Sequence, residues 1–213
     1  MMSISFICQA RLGSSRLPCK VLLPFGGSTI LGFICSRVTR KFGGDSLVVA
    51  TTEEKIDDII VRYCASIGVE VYRGSSDNVL QRYHDAALAY KFEDVVRLTA
   101  DNPLIDLEAI DRLYLFHTAQ KMEYSSSIEA MPVGMGSEIF SLDALRKSLK
   151  RAYKEAHLEH VNEYILENWD EFRASRFKPY EENHDIALNL SIDTPDDYLR
   201  VEEFYSKNTR VMS

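Results

Sequence analysis

The chain has few cysteines and no CxxC pair. Its four, Cys8, Cys19, Cys35 and Cys64, read as reduced thiols rather than a disulfide or zinc framework. Cys8 and Cys64 fall where a strand and a helix would bury a small hydrophobe. Glycine and proline are scarce, 10 and 6 in 213 residues, which excludes collagenous and low-complexity chains. No run approaches the roughly 18 apolar residues of a membrane span, so no membrane partner is expected. The opening MMSISFICQAR lacks the length and basic lead of a secretory signal, and a cytoplasmic setting is expected. Bases are outnumbered, Lys+Arg 25 against Asp+Glu 32 for a net charge of −7, which argues against a protein that coats nucleic acid.

What is present points to a folded α/β chain. Hydrophobic residues make up 46% of it, enough for a sizeable core, and one domain spanning 1–213 is the economical reading. The acidic balance is uneven. Residues 1–44 carry Arg11, Arg16, Lys20, Arg37, Arg40 and Lys41 and no acid. An acidic protein with a purely cationic first fifth is a candidate for binding a compact anion there. Arg37, Arg40 and Lys41 close a helix and complement its dipole, so they are read as structural.

Short apolar runs alternate with helical patterns. Strands are expected at 3–8, 46–50, 69–72 and 94–99. Helices are expected at 29–41, with Ser28 as N-cap, and at 56–67, 77–90 and 107–118. The stripe Ile56, Ile59, Ile60, Tyr63, Cys64 and Ile67 marks the second helix. This alternation means βαβ units and a parallel sheet. Beyond Glu123 the rhythm changes: strands at 136–140, 172–177 and 186–191, helices at 142–151, 157–168 and 195–205. Tyr63, Tyr72, Tyr83 and Tyr90 are read as core rather than stacking platforms.

The chemistry concentrates where strands end, as ligand sites do in open α/β sheets. Gln9-Ala-Arg-Leu-Gly-Ser-Ser-Arg-Leu-Pro-Cys-Lys20 follows the first strand. It combines Gly13, Ser14 and Ser15 with three spaced cations, the distributed donors and charge that a polyphosphate needs. It is neither a P-loop nor a GxGxxG fingerprint, and a solvated basic loop is the bland alternative. Asp101 falls just past the fourth strand, and a carboxylate facing a cationic phosphate loop makes sense with Mg²⁺ between them. Asp193 precedes a helix that Thr194 would cap and Pro195 would start, leaving a spare carboxylate for the same ion. His157 and His160 are spaced i, i+3 but lack a third ligand for zinc.

The segments QARLGSSRLPCKVL, VVATT, YRGSSDNVLQRY, VVRLTADNPLID and SIDTPDDYLRVEE together resemble the SpsF-type spore-coat polysaccharide cytidylyltransferases. These are relatives of the 3-deoxy-manno-octulosonate and acylneuraminate cytidylyltransferases. The resemblance runs in order from about residue 4 to 205. It implies a nucleotide-diphosphosugar-transferase-like, Rossmann-like three-layer α/β/α sandwich with a mostly parallel, mixed sheet, and a homodimer. It implies catalytic Arg11 and Lys20, with Ser14, Ser15 and Arg16 in the same loop, and Asp101 and Asp193 as Mg²⁺ ligands. The backbone at Gln9–Ala10 and the segment Arg73, Gly74, Ser75 and Asp77 would face base and ribose. Gly134, Glu138, Glu159 and His160 would lie on the acceptor side. The chain departs from the family pattern at Cys19, where a glycine is usual, at Leu158, where an arginine is usual, and at Ala100 and Asn102 around the aspartate.

The expectation is therefore transfer of CMP from CTP to a sugar or sugar acid for surface polysaccharide, releasing pyrophosphate. Two rivals stay open. One is a glycosyltransferase of the same architecture using a nucleotide-sugar donor; such enzymes usually carry D-x-D, and no two aspartates here are two apart. The other is a non-catalytic nucleotide-binding module.

Overall fold

A computed structural model describes residues 4–181 and 187–212. The first strand, β1 (Ser5–Gln9), is followed by a hairpin of two-residue strands, β2 (Pro24–Phe25) and β3 (Ser28–Thr29). Helix α1 (Ile30–Phe42), β4 (Leu47–Thr52), α2 (Asp58–Ser66) and β5 (Glu70–Gly74) come next. They lead to α3 (Val79–Tyr90), β6 (Asp94–Thr99), α4 (Leu107–Ala119), β7 (Tyr124–Ser126) and β8 (Glu138–Ser141). The chain continues through α5 (Leu142–Arg151), two short helices α6 (Glu155–Glu159) and α7 (Glu163–Glu167), β9 (Ala174–Arg176) and α8 (Pro195–Met212).

The main sheet has the order β5-β4-β1-β6-β8-β7-β9. Its first four strands pair in parallel. β8 is antiparallel to both β6 and β7, and β9 is parallel to β7, so within this sheet, among the described residues, β8 alone runs against the rest. The mixed, mostly parallel α/β architecture matches the expectation.

Alternation along the strands sends side chains to two faces. Phe6, Cys8, Leu47, Val49, Val96 and Leu98 join Ile34, Ile60, Ile110 and Val201 of the helices on one side. Ile7, Val48, Ala50, Val95 and Phe140 join Leu80, Tyr83, Leu145 and Ile165 on the other. Covered on both faces, β1, β4 and β6 read as short, mostly apolar runs, as parallel strands do, with Arg97 the one charge inside β6.

Several boundaries differ from the sequence expectation. Ser28 does not cap α1. It sits in the β2–β3 hairpin, whose turn residues Gly26 and Gly27 have φ of 56° and 81°, and Thr29 caps instead, its hydroxyl accepting from Gly32 N–H at 3.0 Å. Asn78 caps α3 in the same way, at 2.8 Å from Gln81 N–H, so that helix starts two residues late. The stripe on α2 is half core: Ile60 and Cys64 are fully buried, whereas Ile56 and Ile59 are 53% and 51% exposed. The single helix expected at 157–168 is broken, and Val161 between its two pieces drops fully into the core. The strand expected at 186–191 appears in 187–191 only as an isolated bridge between Asn189 and Val133; Ile186 and Ser3 lie outside the described residues. β7, unexpected from the sequence, is short and two-thirds serine.

Candidate active site

The loop after β1 is held at one residue. Leu12 is buried, its N–H donates to Asp57 Oδ1 at 2.8 Å, and its carbonyl accepts from the N–H groups of Ser14 and Cys19 at 2.8 and 3.2 Å. Asp57 is itself buried and takes the Thr52 hydroxyl on its other oxygen. The carboxylate thereby ties the loop to the end of β4. Between Leu12 and Cys19 the chain turns outward, and within the described residues the N–H groups of Gly13, Ser15 and Arg16 have no hydrogen-bond partner. Cys19 closes the loop in the left-handed region, φ 57°, a conformation that favours glycine. Its thiol is exposed, while Cys8, Cys35 and Cys64 are buried, and burial pushes the Cys64 thiol up to about 12.

Lys20 follows, and its ammonium reaches the other two motifs. Nζ lies 3.0 Å from Asp101 Oδ2, 2.9 Å from Asp193 Oδ1 and 2.8 Å from the Ile192 carbonyl. Arg16 adds a second cation to Asp193 at 3.0 Å. A backbone bond from Ile192 N–H to the Asp101 carbonyl, at 2.9 Å, sets the two aspartate-bearing segments side by side. Asp193 then enters α8 through a reciprocal cap. Asp197 Oδ2 accepts from Thr194 N–H and hydroxyl and from Asp193 N–H, and Thr194 Oγ1 accepts from Asp197 N–H. Burial raises the Asp197 carboxyl, but the Thr194, Arg200 and backbone bonds outweigh it and hold the group at about 2.

These residues wall a cavity of about 600 Å³ at the carboxyl ends of β1, β5 and β6. Of the residues singled out from the sequence, it collects Gln9, Ala10, Arg11, Gly13, Ser14, Ser15, Arg16, Lys20, Asp77, Asp101, Glu159, His160 and Asp193. It does not collect Arg73, Gly74, Ser75, Gly134 or Glu138. Arg73 is occupied by Asp58 and the carbonyls of Thr52 and Glu54. Ser75 caps the turn into α3 by accepting from Asn78 N–H, and Gly74 is buried at the end of β5. Gly134 has φ 90° and lies so close to the Leu190–Ser191 backbone that a Cβ there would approach to 2.8 Å. Glu138, only 2% exposed, reaches the cavity through Arg97, whose NH1 donates to it at 2.8 Å. Asn162 and Tyr124 donate to its other oxygen. Burial, then Glu138, pushes the Tyr124 phenol up.

The cavity also contains residues not assigned from the sequence, chiefly Arg82, Arg97, Thr99 and Glu155. An arginine inside the apolar strand DVVRLT, and another on the buried face of α3 beside Leu80 and Tyr83, were the available signals. Burial, and the neighbouring Arg11, push the Arg82 guanidinium down from its ordinary value, with Tyr83 and Asp57 opposing. His157 and His160 part company: His157 is buried against Glu167, while His160 faces the cavity. Arg37 and Lys41 do more than meet a helix dipole. They hold the segment after Asp101 through the carbonyls of Pro103, Ile105 and Leu107 and the carboxylates of Glu108 and Asp111.

A family model for cytidylyltransferases matches residues 5–213. The chain belongs to that family. Among curated relatives, the spore coat polysaccharide biosynthesis protein SpsF of Bacillus subtilis is 34% identical over 97% of this chain and 88% of its own length. Among solved structures, a cytidylyltransferase from Leptospira borgpetersenii is 35% identical, covers 100% of this chain and 97% of its own, and superposes with a TM-score of 0.85. A CMP:2-keto-3-deoxy-manno-octonic acid synthetase complexed with CTP shares the fold at a TM-score of 0.72, with 15% identity over 97% of this chain and 100% of its own. This cytidylyltransferase-family chain is thus a nucleotidyltransferase. None of its described helices is long and apolar enough to cross a membrane.

Proposed function

We propose that the protein transfers CMP from CTP to a sugar or sugar acid, releasing pyrophosphate, with Mg²⁺ as the divalent ion. The observation that carries this reading is Lys20 lying across Asp101 and Asp193 within 3.0 Å of each. The two carboxylates face one point from separate segments, and a cation already rests there. No third carboxylate, histidine or cysteine joins them among the described residues. That donor set suits a hard ion that keeps waters and takes phosphate oxygens. Asp101 and Asp193 would hold it, and it would supply charge neutralisation at the phosphates.

The chain's own groups account for the rest. The unpaired N–H groups of Gly13, Ser15 and Arg16 receive phosphate oxygens, and Arg11, Arg16 and Lys20 neutralise them. A hydroxyl of the acceptor forms its bond to the α-phosphorus as the bond to pyrophosphate breaks, and Lys20 and Arg11 stabilise charge on the departing group. Glu159 and His160 line the same cavity and would meet the acceptor. A cytoplasmic setting fits four unpaired cysteines. The name of the Bacillus subtilis relative supports a polysaccharide sugar as acceptor, and a homodimer is the proposed assembly.

Pyrophosphate release measured over four nucleoside triphosphates, with sugars and sugar acids and with or without Mg²⁺, tests the reading. Release from CTP, dependent on both acceptor and divalent ion, is the expected result. Glycosyl transfer from a nucleotide sugar, with no release from any triphosphate, would overturn it.

A further inference from the structure

A charge placed inside a covered strand is costly unless it is paired. Arg97 stands inside β6 among Val95, Val96 and Leu98, and its cross-strand neighbour on β8 is Glu138. NH1 donates to Glu138 Oε2 at 2.8 Å. The other oxygen of that buried carboxylate accepts from the Tyr124 hydroxyl and, at 2.8 Å, from the Asn162 amide. Three donors thus fix the carboxylate, and the carboxylate fixes the guanidinium. Arg97 Nε is sealed from solvent. NH2 is neither sealed nor bonded within the described residues, so, with the side chain 16% exposed, it is the nitrogen that opens on the cavity.

The sheet order says what that nitrogen faces. β6 lies between β8 and β1, and β1 carries the loop of Arg11, Arg16 and Lys20. Glu138 holds the guanidinium on the β8 side, away from that loop. Arg97 also stands two residues, about 7 Å, short of the end of β6, and its ion pair is with Glu138 rather than with Asp101 or Asp193. The remaining arginine of the lining, Arg82, belongs to α3 and has its NH1 on the Ser75 carbonyl beyond β5, at the far edge of the sheet. Among the described lining residues, Arg97 is therefore the arginine of the β8 half. His160, at the corner between α6 and α7, lines the same cavity, and Asn162, two residues on, ties that corner to Glu138.

Resting on the transfer reading above, we infer that Arg97 sets acceptor specificity, its NH2 donating to a carboxylate oxygen of a sugar acid, with Glu138 as the positioning residue that pins it. The carboxylate of Glu138 lies behind the guanidinium and is shared by three donors, so the cavity meets the cation first. A guanidinium has donors only, and an anionic oxygen is its strongest partner. With NH1 spent and Nε sealed, NH2 serves one oxygen rather than a bidentate pair. Because the same Glu138 also holds Asn162, it keeps the His160 corner and the Arg97 donor in one register around the acceptor.

The test measures pyrophosphate release from CTP with Mg²⁺ over a panel of sugar acids and the matching neutral sugars, in which a hydroxymethyl group replaces the carboxylate. The wild type is expected to turn over acids and not their neutral counterparts. Arg97→Met should lower kcat/KM for the acid by about tenfold or more, the cost of a hydrogen bond to a charged group, with KM for CTP unchanged. Glu138→Gln, which keeps an acceptor for NH1, should lower it severalfold with the same split. If Arg97→Met does not fold because it strands Glu138, the double variant Arg97→Met, Glu138→Met decides, since it removes both charges. An unchanged kcat/KM for the acid, or a rise in KM for CTP that matches the loss for the acid, overturns the inference and leaves the CTP reading standing. So does a wild type that takes neutral sugars as readily. A wild type that accepts neither kind overturns the transfer reading, and this inference with it.

Discussion

Replacing Lys20 with methionine separates the ammonium's two roles. Its Nζ lies within 3.0 Å of two carboxylates that would otherwise repel each other, and its own side chain is 12% exposed. Asp101 and Asp193 remain partly open to water, at 28% and 36%. The loss therefore falls between the 3–5 kcal/mol of a broken buried pair and the roughly 0–1 kcal/mol of a surface one, at about 1–2 kcal/mol. In a chain of this size that is a fall in Tm of about 2–8 °C. A divalent ion should then do more for the variant than for the wild type, because it replaces the ammonium instead of displacing it. An ion at a hundred times its Kd adds about 2.7 kcal/mol. Thermal melts of both proteins with and without millimolar Mg²⁺ or Mn²⁺ read this directly. Turnover should fall by about 10²–10³, the usual cost of losing a group that stabilises developing charge. A variant that divalent ions stabilise no more than the wild type would refute the shared-site reasoning, even if inactive.

Three other outcomes follow from the same geometry. Asp57→Ala removes a buried acceptor from Leu12 N–H and Thr52; it should cost about 2–3 kcal/mol in denaturant unfolding and raise KM for the nucleotide, because the loop loses its tie to β4. Cys19→Gly should stabilise by roughly 1 kcal/mol in the same assay, since an exposed residue with φ 57° gives up little packing and loses its left-handed strain. Asp197→Ala should destabilise by about 1–2 kcal/mol at pH 7 through loss of the cap. The Asp197 carboxyl is held at about 2 in the fold, below the unfolded value of about 3.9. Its contribution is thus complete above about pH 4 and is lost as pH falls toward 2, so the difference between variant and wild type should narrow across that window.

Much of the parallel half of the fold was legible because local pattern and tertiary role coincide there. DVVRLT had to be a doubly buried strand, and β6 spans those six residues. The helix at 142–151 likewise matches its expected bounds. Where several elements decide together, pattern failed: β7 holds its place by pairing on both sides with β8 and β9, and two serines carry no strand signal. The apolar run around Val161 read as one helix because a buried residue at a break looks like one in a stripe.

In the site, charged residues within strand-end loops could be found by position, and Arg11, Lys20, Asp101 and Asp193 do converge on one cavity. Arg82 and Arg97 show in the sequence only as charges among buried residues of a helix and a strand, a weaker signal because neither stands in a strand-end loop. The segment 73–75 stands outside the cavity lining for the opposite reason. Its polar groups look available in the sequence, but Asp58, Glu54 and Asn78 use them locally.

Asp101 and Asp193 are proposed to form a divalent site serving nucleotidyl transfer from CTP. Pyrophosphate release by Asp101→Asn, measured with CTP, an accepted sugar or sugar acid and saturating Mg²⁺, tests it most directly. The expected result is a folded variant, with a melting profile close to that of the wild type, whose turnover has fallen by at least about 10². Near wild-type release from that variant would contradict the metal assignment and the mechanism built on it.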